Sequence, residues 1–274
     1  MQRKVAQFAG LSMEYFVAGQ GKPVIAFHGF GRHAADFEVF REVLGNDEQL
    51  IAINLFQHGE SRWPKKREFT DSLNRKELLG LLDAIPEIKN HAQFSLWGYS
   101  MGGRIALTLL EEVPERIARV MLIAPDGLKM AKMYRFAAHT RLGNSVYRML
   151  MSRPHLITGT IDLAHKLRLV NSKFHRFIHV HLESKEKAQL VYEAWLIYRY
   201  FQPRLPHVAD VLNSHPIRFT MIFGRYDSVI RPTFAVNLDA LLDTPNTHFI
   251  DSGHLLMTVQ TADFIVQHKL WTDA

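Results

Sequence analysis

Apolar residues recur along the chain in short unbroken runs: VIAF at 24–27, IAINL at 51–55, FSLW at 94–97, VMLIA at 120–124 and FTMIF at 219–223. Stretches with helical spacing separate them. Strands covered on both faces read as continuous apolar runs, and their alternation with helices predicts a parallel sheet made of crossover units. The fold class expected is therefore α/β. Two earlier segments, 5–9 and 13–17, flank a Gly-Leu-Ser turn at 10–12 and predict an opening hairpin at the sheet edge. A last short strand is expected over 248–251, before a terminal helix.

The alternation stops after Pro125, and about 90 residues pass before the next clear strand near Ile217. That interval holds amphipathic stretches such as 188–201 and breaks at Arg153-Pro154, Gln202-Pro203 and Leu205-Pro206. A structureless loop of this length is uncommon in a compact domain, so the reading is an inserted helical cap. The expected organisation is a core over 1–126 and 216–274 with the cap over 127–215. No internal repeat or low-complexity tract interrupts it.

Composition narrows the classes. Apolar residues are 47% and charged residues 22% of the 274, values ordinary for a globular protein. No stretch approaches the roughly 18 apolar residues of a membrane span. The first residues lack the apolar block of a secretory signal, and a cytoplasmic protein is expected. With no cysteine, thiolate metal sites and cysteine nucleophiles are excluded. The net charge of +6 is concentrated in one place: residues 127–215 hold 14 Lys and Arg against 5 Asp and Glu. No nucleic-acid-binding signature accompanies this basicity, so no nucleic-acid partner is expected; weak contact with a membrane surface is the other use such a segment allows.

The chemistry centres on Gly98-Tyr99-Ser100-Met101-Gly102-Gly103. This Gly-x-Ser-x-Gly pattern follows an apolar strand and opens a helical stretch, the setting in which a tight turn pushes a serine hydroxyl out of a sheet end. A serine hydroxyl needs a base, and the base needs an orienting acid. Asp227, just beyond the run at 219–223, and His254, just beyond the last strand, supply them in chain order. Asp126 competes as the acid, and Asp251 is a weaker rival. The backbone N–H groups of Met101 and of Phe30, in His28-Gly29-Phe30-Gly31, are the expected oxyanion donors. His28, Gly29, Tyr99, Arg104 and Trp195 are candidate substrate-binding residues, although the His28 side chain also reads as structural and Arg104 as an ordinary helix arginine. Aromatic residues of the cap, among them Tyr134, Tyr147, Trp195 and Tyr198, either wall an acyl pocket or form the cap's own core.

Two other signals are set aside. Gly19-Gln20-Gly21-Lys22 lacks phosphate-loop spacing and precedes a strand. His175, His179 and His181 lack a Glu to complete a HExxH pattern and lie among basic residues, so no metal is expected.

Assembled, HGFG at 28–31, HGES at 58–61, GYSMGGR at 98–104, GRYDSVIRP at 224–232 and SGH at 252–254 resemble the cap-bearing serine hydrolases of the α/β-hydrolase superfamily. The resemblance covers nearly the whole chain outside the cap. It implies esterases, lipases or carbon–carbon bond hydrolases, and the Ser at 100 sets the chain apart from members with a carboxylate nucleophile. Arg104 directly after the elbow resembles the elbow of SHCHC synthase, where a matching arginine helps hold an anionic substrate. The expected activity is cleavage of a hydrophobic carboxylic ester through an acyl-enzyme, without cofactor. A lyase or carbon–carbon hydrolase acting on an anionic metabolite, and a non-catalytic binding protein retaining the fold, are the alternatives. The sequence assigns no oligomeric state.

Overall fold

A computed structural model describes residues 1–64 and 71–272, with backbone alone at 173 and 177. Its eight strands are β1 (Gln2–Phe8), β2 (Leu11–Gly19), β3 (Lys22–Phe27), β4 (Glu48–Ile53), β5 (Phe94–Tyr99), β6 (Ile117–Ile123), β7 (Arg218–Gly224) and β8 (Thr247–Ile250). They form one sheet in the order β1-β2-β4-β3-β5-β6-β7-β8. β1 and β2 are antiparallel to each other, as are β2 and β4; the remaining pairs are parallel. Every apolar run read from the sequence lies on or directly beside a strand, and β3 and β5 are buried along almost their whole length because both sheet faces are covered. The opening turn is tighter than expected. Leu11 and Ser12 belong to β2, and the chain reverses at Ala9 and Gly10, both at positive φ (50° and 77°), the conformation of a two-residue hairpin turn.

The helices are α1 (Arg75–Asp83), α2 (Pro86–Lys89), α3 (Met101–Glu112), α4 (Lys132–His139), α5 (Arg141–Met151), α6 (Pro154–Lys166), α7 (Ser172–His181), α8 (Lys185–Ile197), α9 (Leu205–Ser214), α10 (Val236–Asp239) and α11 (Val259–Gln267). Among the described residues the chain divides into two compact units, one over 1–64, 73–129 and 200–272, the other over 71–72 and 130–199. The first contains the sheet. On one of its faces Trp97 and Tyr99 share a core with Phe37 and Phe40 of a 3₁₀ segment (Ala34–Val43) and with Ile265 and Trp271 at the C-terminal end. Alternation along β5 sends Leu96 and Gly98 to the other face, and there α3 packs against β3, β5 and β6.

The second unit is helical. α4 packs on α5, α5 on α6 and α8, and α6 on α7, around Ala137, Tyr147, Met151, Leu182, Ala188, Tyr192 and Leu196. Ser72 ties the short 71–72 segment to it by donating to the Leu196 carbonyl at 2.9 Å. The division differs from the boundaries expected at 127 and 215. α9 packs on α3 and α10 within the first unit, and helical periodicity identifies a face to be covered without identifying what covers it. Pro154 and Pro206 also open α6 and α9 in their first turns, where a missing N–H costs nothing, so those breaks start helices as well as ending them. Among the described residues no helix is long and apolar enough to cross a membrane.

Candidate active site

Ser100 lies between β5 and α3 with φ 49° and ψ −116°, a backbone conformation L-residues seldom adopt. The surroundings hold it there. Its N–H donates to the Ile123 carbonyl at 3.0 Å, and its own carbonyl accepts from Gly103 and Asp126, both at 2.9 Å. The flanking glycines are required by close approach. A Cβ on Gly98 would come within 2.7 Å of the Gly103 Cα, and one on Gly102 would collide with the Phe27 carbonyl oxygen at the end of β3. Strain held by neighbouring backbone in this way is typical of sites that must present a reactive group.

Asp227 follows β7, and its carboxylate is fixed at both oxygens. Oδ1 accepts from the N–H groups of Val229 (2.7 Å) and Ile230 (2.9 Å), and Oδ2 lies 2.7 Å from His254 Nδ1. The Asp227 side chain is fully buried and that of His254 is 15% exposed, so the ring alone of this pair meets solvent. A carboxylate facing Nδ1 favours the tautomer that carries its proton on that nitrogen. Tyr99 holds the same histidine from behind: its hydroxyl donates to the His254 carbonyl at 2.8 Å, and the two rings stack with centroids 5.5 Å apart. Burial raises the Tyr99 hydroxyl above its ordinary range, so it stays a donor. Tyr99, a candidate for substrate binding, has its side chain buried against the histidine loop.

The competing acids are engaged elsewhere. Asp126 accepts from the Gly127 N–H at 2.7 Å and lies 3.6 Å from Arg104 Nε, while Asp251 pairs with Arg225 at 2.8 Å on the surface. Arg104 itself is 2% exposed, a depth that a solvated helix arginine does not reach. Trp195 belongs to the second unit, where its ring packs against Tyr134 and Tyr147 at 4.9 and 5.0 Å.

The loop after β3 lies directly against the elbow, since a Cβ on Gly29 would stand 3.0 Å from the Ser100 Cβ. Met101 is the first residue of α3, and its N–H is one of the helix N-terminal donors without an intrahelical acceptor. Two buried histidines shape the loop that carries the Phe30 N–H. His28 Nε2 accepts from the Leu55 N–H at 3.1 Å and its Nδ1 donates to the Gly29 carbonyl at 2.7 Å. His58 Nε2 accepts from the Gly31 N–H at 2.9 Å and its Nδ1 donates to the Phe56 carbonyl at 3.2 Å. Each ring thus uses one nitrogen as acceptor and one as donor, which only the neutral tautomer can do.

Behind them, buried Glu14 accepts from the Glu60 N–H, Asn54 and Arg3, and Asn54 accepts from the Ala34 N–H at 2.7 Å. Burial pushes the Glu14 carboxyl up, but these donors outweigh it and hold it below the usual range. The sequence reading missed the Glu14, Asn54 and His58 supports. HGES at 58–61 contains only His58 of the three.

Burial pushes His58 down to about 4 and His28 well below its ordinary value. In the unfolded chain an imidazole titrates near 6.5, so the unfolded state binds more protons between these values and folding loses stability as pH falls through that window. His58 alone is expected to remove about 3 kcal/mol between roughly pH 6.5 and pH 4. Urea unfolding of the wild type and of His58→Gln across that range checks this: the variant's stability should fall less steeply, and parallel curves would rule the assignment out.

A family model described as the alpha/beta hydrolase fold matches residues 22–259. Among curated proteins, a Bacillus subtilis protein provisionally named 2-succinyl-6-hydroxy-2,4-cyclohexadiene-1-carboxylate synthase is 32% identical over 124 residues, 43% of this chain and 43% of that protein. An esterase of Mycobacterium tuberculosis is 29% identical over 113 residues, 40% of this chain and 36% of that protein. The chain thus spans less than half the length of either relative. Among solved structures, a thermophilic esterase from Thermogutta terrifontis superposes with a TM-score of 0.68 at 18% identity, covering 99% of this chain and 100% of that one.

Proposed function

The chain belongs to the α/β-hydrolase fold family, and we propose that it is a serine hydrolase that cleaves a carboxylic ester through an acyl-enzyme. The observation that carries this reading is the fixed Asp227–His254 pair, 2.7 Å apart at consecutive strand ends, in the same unit as a serine presented on a strained elbow. In the proposed mechanism Ser100 Oγ attacks the ester carbonyl while His254 Nε2 takes its proton. Asp227 keeps the ring in that tautomer and stabilises the imidazolium that forms. The N–H groups of Met101 and Phe30 receive the oxyanion, each worth about 3 kcal/mol in the transition state. His254 then protonates the departing alcohol and activates water for deacylation.

The ester assignment is supported by the stretch similar to the Mycobacterium tuberculosis esterase. Arg104 is buried with its Nε 3.6 Å from Asp126 Oδ2, so a substrate anion would have to compete with that carboxylate for it. No cofactor takes part in these steps.

Hydrolysis of p-nitrophenyl esters from acetate to palmitate, followed by fluorophosphonate treatment and peptide mapping, tests the reading. Turnover of at least one ester and a single adduct on Ser100 are expected, with the preferred chain length defining the acyl site. A folded protein that cleaves none of them and takes no label on Ser100 is not a serine esterase.

A further inference from the structure

The helical unit carries a second cluster of chemistry-bearing side chains that the proposed reaction does not use. His175 and His179 stand one turn apart on α7, so their imidazoles share a face. α6 packs against α7 and brings Asp162 between them. Its Oδ1 lies 2.7 Å from His175 Nε2 and 2.7 Å from His179 Nε2. The three ligand atoms all fall within 4.8 Å of one another. His165, one turn beyond Asp162 on α6, packs its ring at a tilt against His175 with centroids 4.4 Å apart and places its own Nε2 3.1 Å from Ser172 Oγ.

This set has the chemistry of a metal site. Two imidazole nitrogens and one carboxylate oxygen suit zinc, cobalt or nickel and are poorly matched to calcium or magnesium, which prefer oxygen alone. Ligands about 2.0–2.1 Å from a tetrahedral ion stand about 3.3 Å apart. Opening the present 2.7 Å contacts to that spacing takes about 0.6 Å, within reach of side-chain rotation. The three side chains are 53%, 27% and 38% exposed, which leaves the site open to an ion from solution and to water ligands.

We propose that Asp162, His175 and His179 bind one divalent first-row transition-metal ion that pins α6 to α7. The spacing of four between the histidines was visible in the sequence, but the carboxylate comes from α6, thirteen residues before His175, and not from between them.

The test uses the full chain, freed of metal with chelator and titrated with zinc chloride by calorimetry, with cobalt chloride in parallel for its visible spectrum. One ion per chain is expected. Loss of even an outer-shell partner costs about 10- to 100-fold in affinity, so His175→Gln/His179→Gln and, separately, Asp162→Asn are each expected to bind at least about 100-fold more weakly. His207→Gln, on α9, controls for binding by the chain's other histidines. Imidazole nitrogen NMR of the unmodified chain gives a readout that depends on no variant: zinc should shift the Nε2 resonances of two histidines together. Absence of saturable binding, binding undiminished in the folded variants, or zinc-induced shifts at other histidines would overturn the proposal.

Discussion

Ser100→Ala is expected to lower kcat on the best p-nitrophenyl ester by about 10⁶-fold while leaving the fold intact. The size follows from the cooperative nature of the proposed machinery. Once the nucleophile is gone, neither the His254 base nor the Asp227 that orients it has a proton to move, and removing the serine costs about as much as removing all three. What remains is the modest catalysis that an oxyanion site and substrate binding provide, about 10³- to 10⁴-fold over water. The fold should survive because alanine and serine are equally disfavoured at φ 49°, and the contacts that impose this geometry run through the backbone of residue 100 to Ile123, Gly103 and Asp126. A melting temperature close to that of the wild type, together with the loss of turnover, is the expected pair of results. A well-folded variant that retains more than a few per cent of wild-type activity would exclude Ser100 as the nucleophile.

The parts of the molecule that were legible in the sequence are those whose physical demands are local. β3, β5 and β6 announce themselves because a strand covered on both faces has no polar alternation to offer. The elbow is legible because the approach of α3 to β3 and β5 demands glycine at 98 and 102, and such a demand leaves a spaced pattern. What was not legible depends on residues meeting from distant segments. Glu14, Asn54 and His58 come from β2 and from two points after β4, and no local pattern says that a glutamate in an edge hairpin will accept from Asn54 and the Glu60 amide. The same holds for Asp162 beside two histidines of the next helix. Arg104 and Tyr99 were noticed for their position next to Ser100, yet adjacency in sequence to a tight turn sends neighbours in opposite directions. One side chain is buried against Asp126 and the other under His254.

Asp227→Asn is expected to lower kcat by about 10⁴-fold, with KM and thermal stability little changed. The two carboxylate oxygens serve different partners. Oδ1 accepts the N–H groups of Val229 and Ile230, and an asparagine placed with its carbonyl oxygen there keeps both bonds and the turn after β7. Its amide nitrogen then takes the position of Oδ2, 2.7 Å from His254 Nδ1, where it can only donate. His254 must answer with a bare Nδ1 and carry its proton on Nε2, the nitrogen that has to accept from Ser100, so the base is lost with no change of shape. Asp227→Ala separates the two contributions: it also leaves the two N–H groups without their acceptor and is expected to cost about 1–3 kcal/mol in stability as well as activity. Measuring kcat, KM and urea midpoints for both variants distinguishes a proton-placing carboxylate from a merely structural one. If Asp227→Asn retained activity within tenfold of wild type, the orienting acid would have to lie elsewhere. Asp126, the stronger of the two rival acids in the sequence, would first have to leave Arg104 and the Gly127 amide.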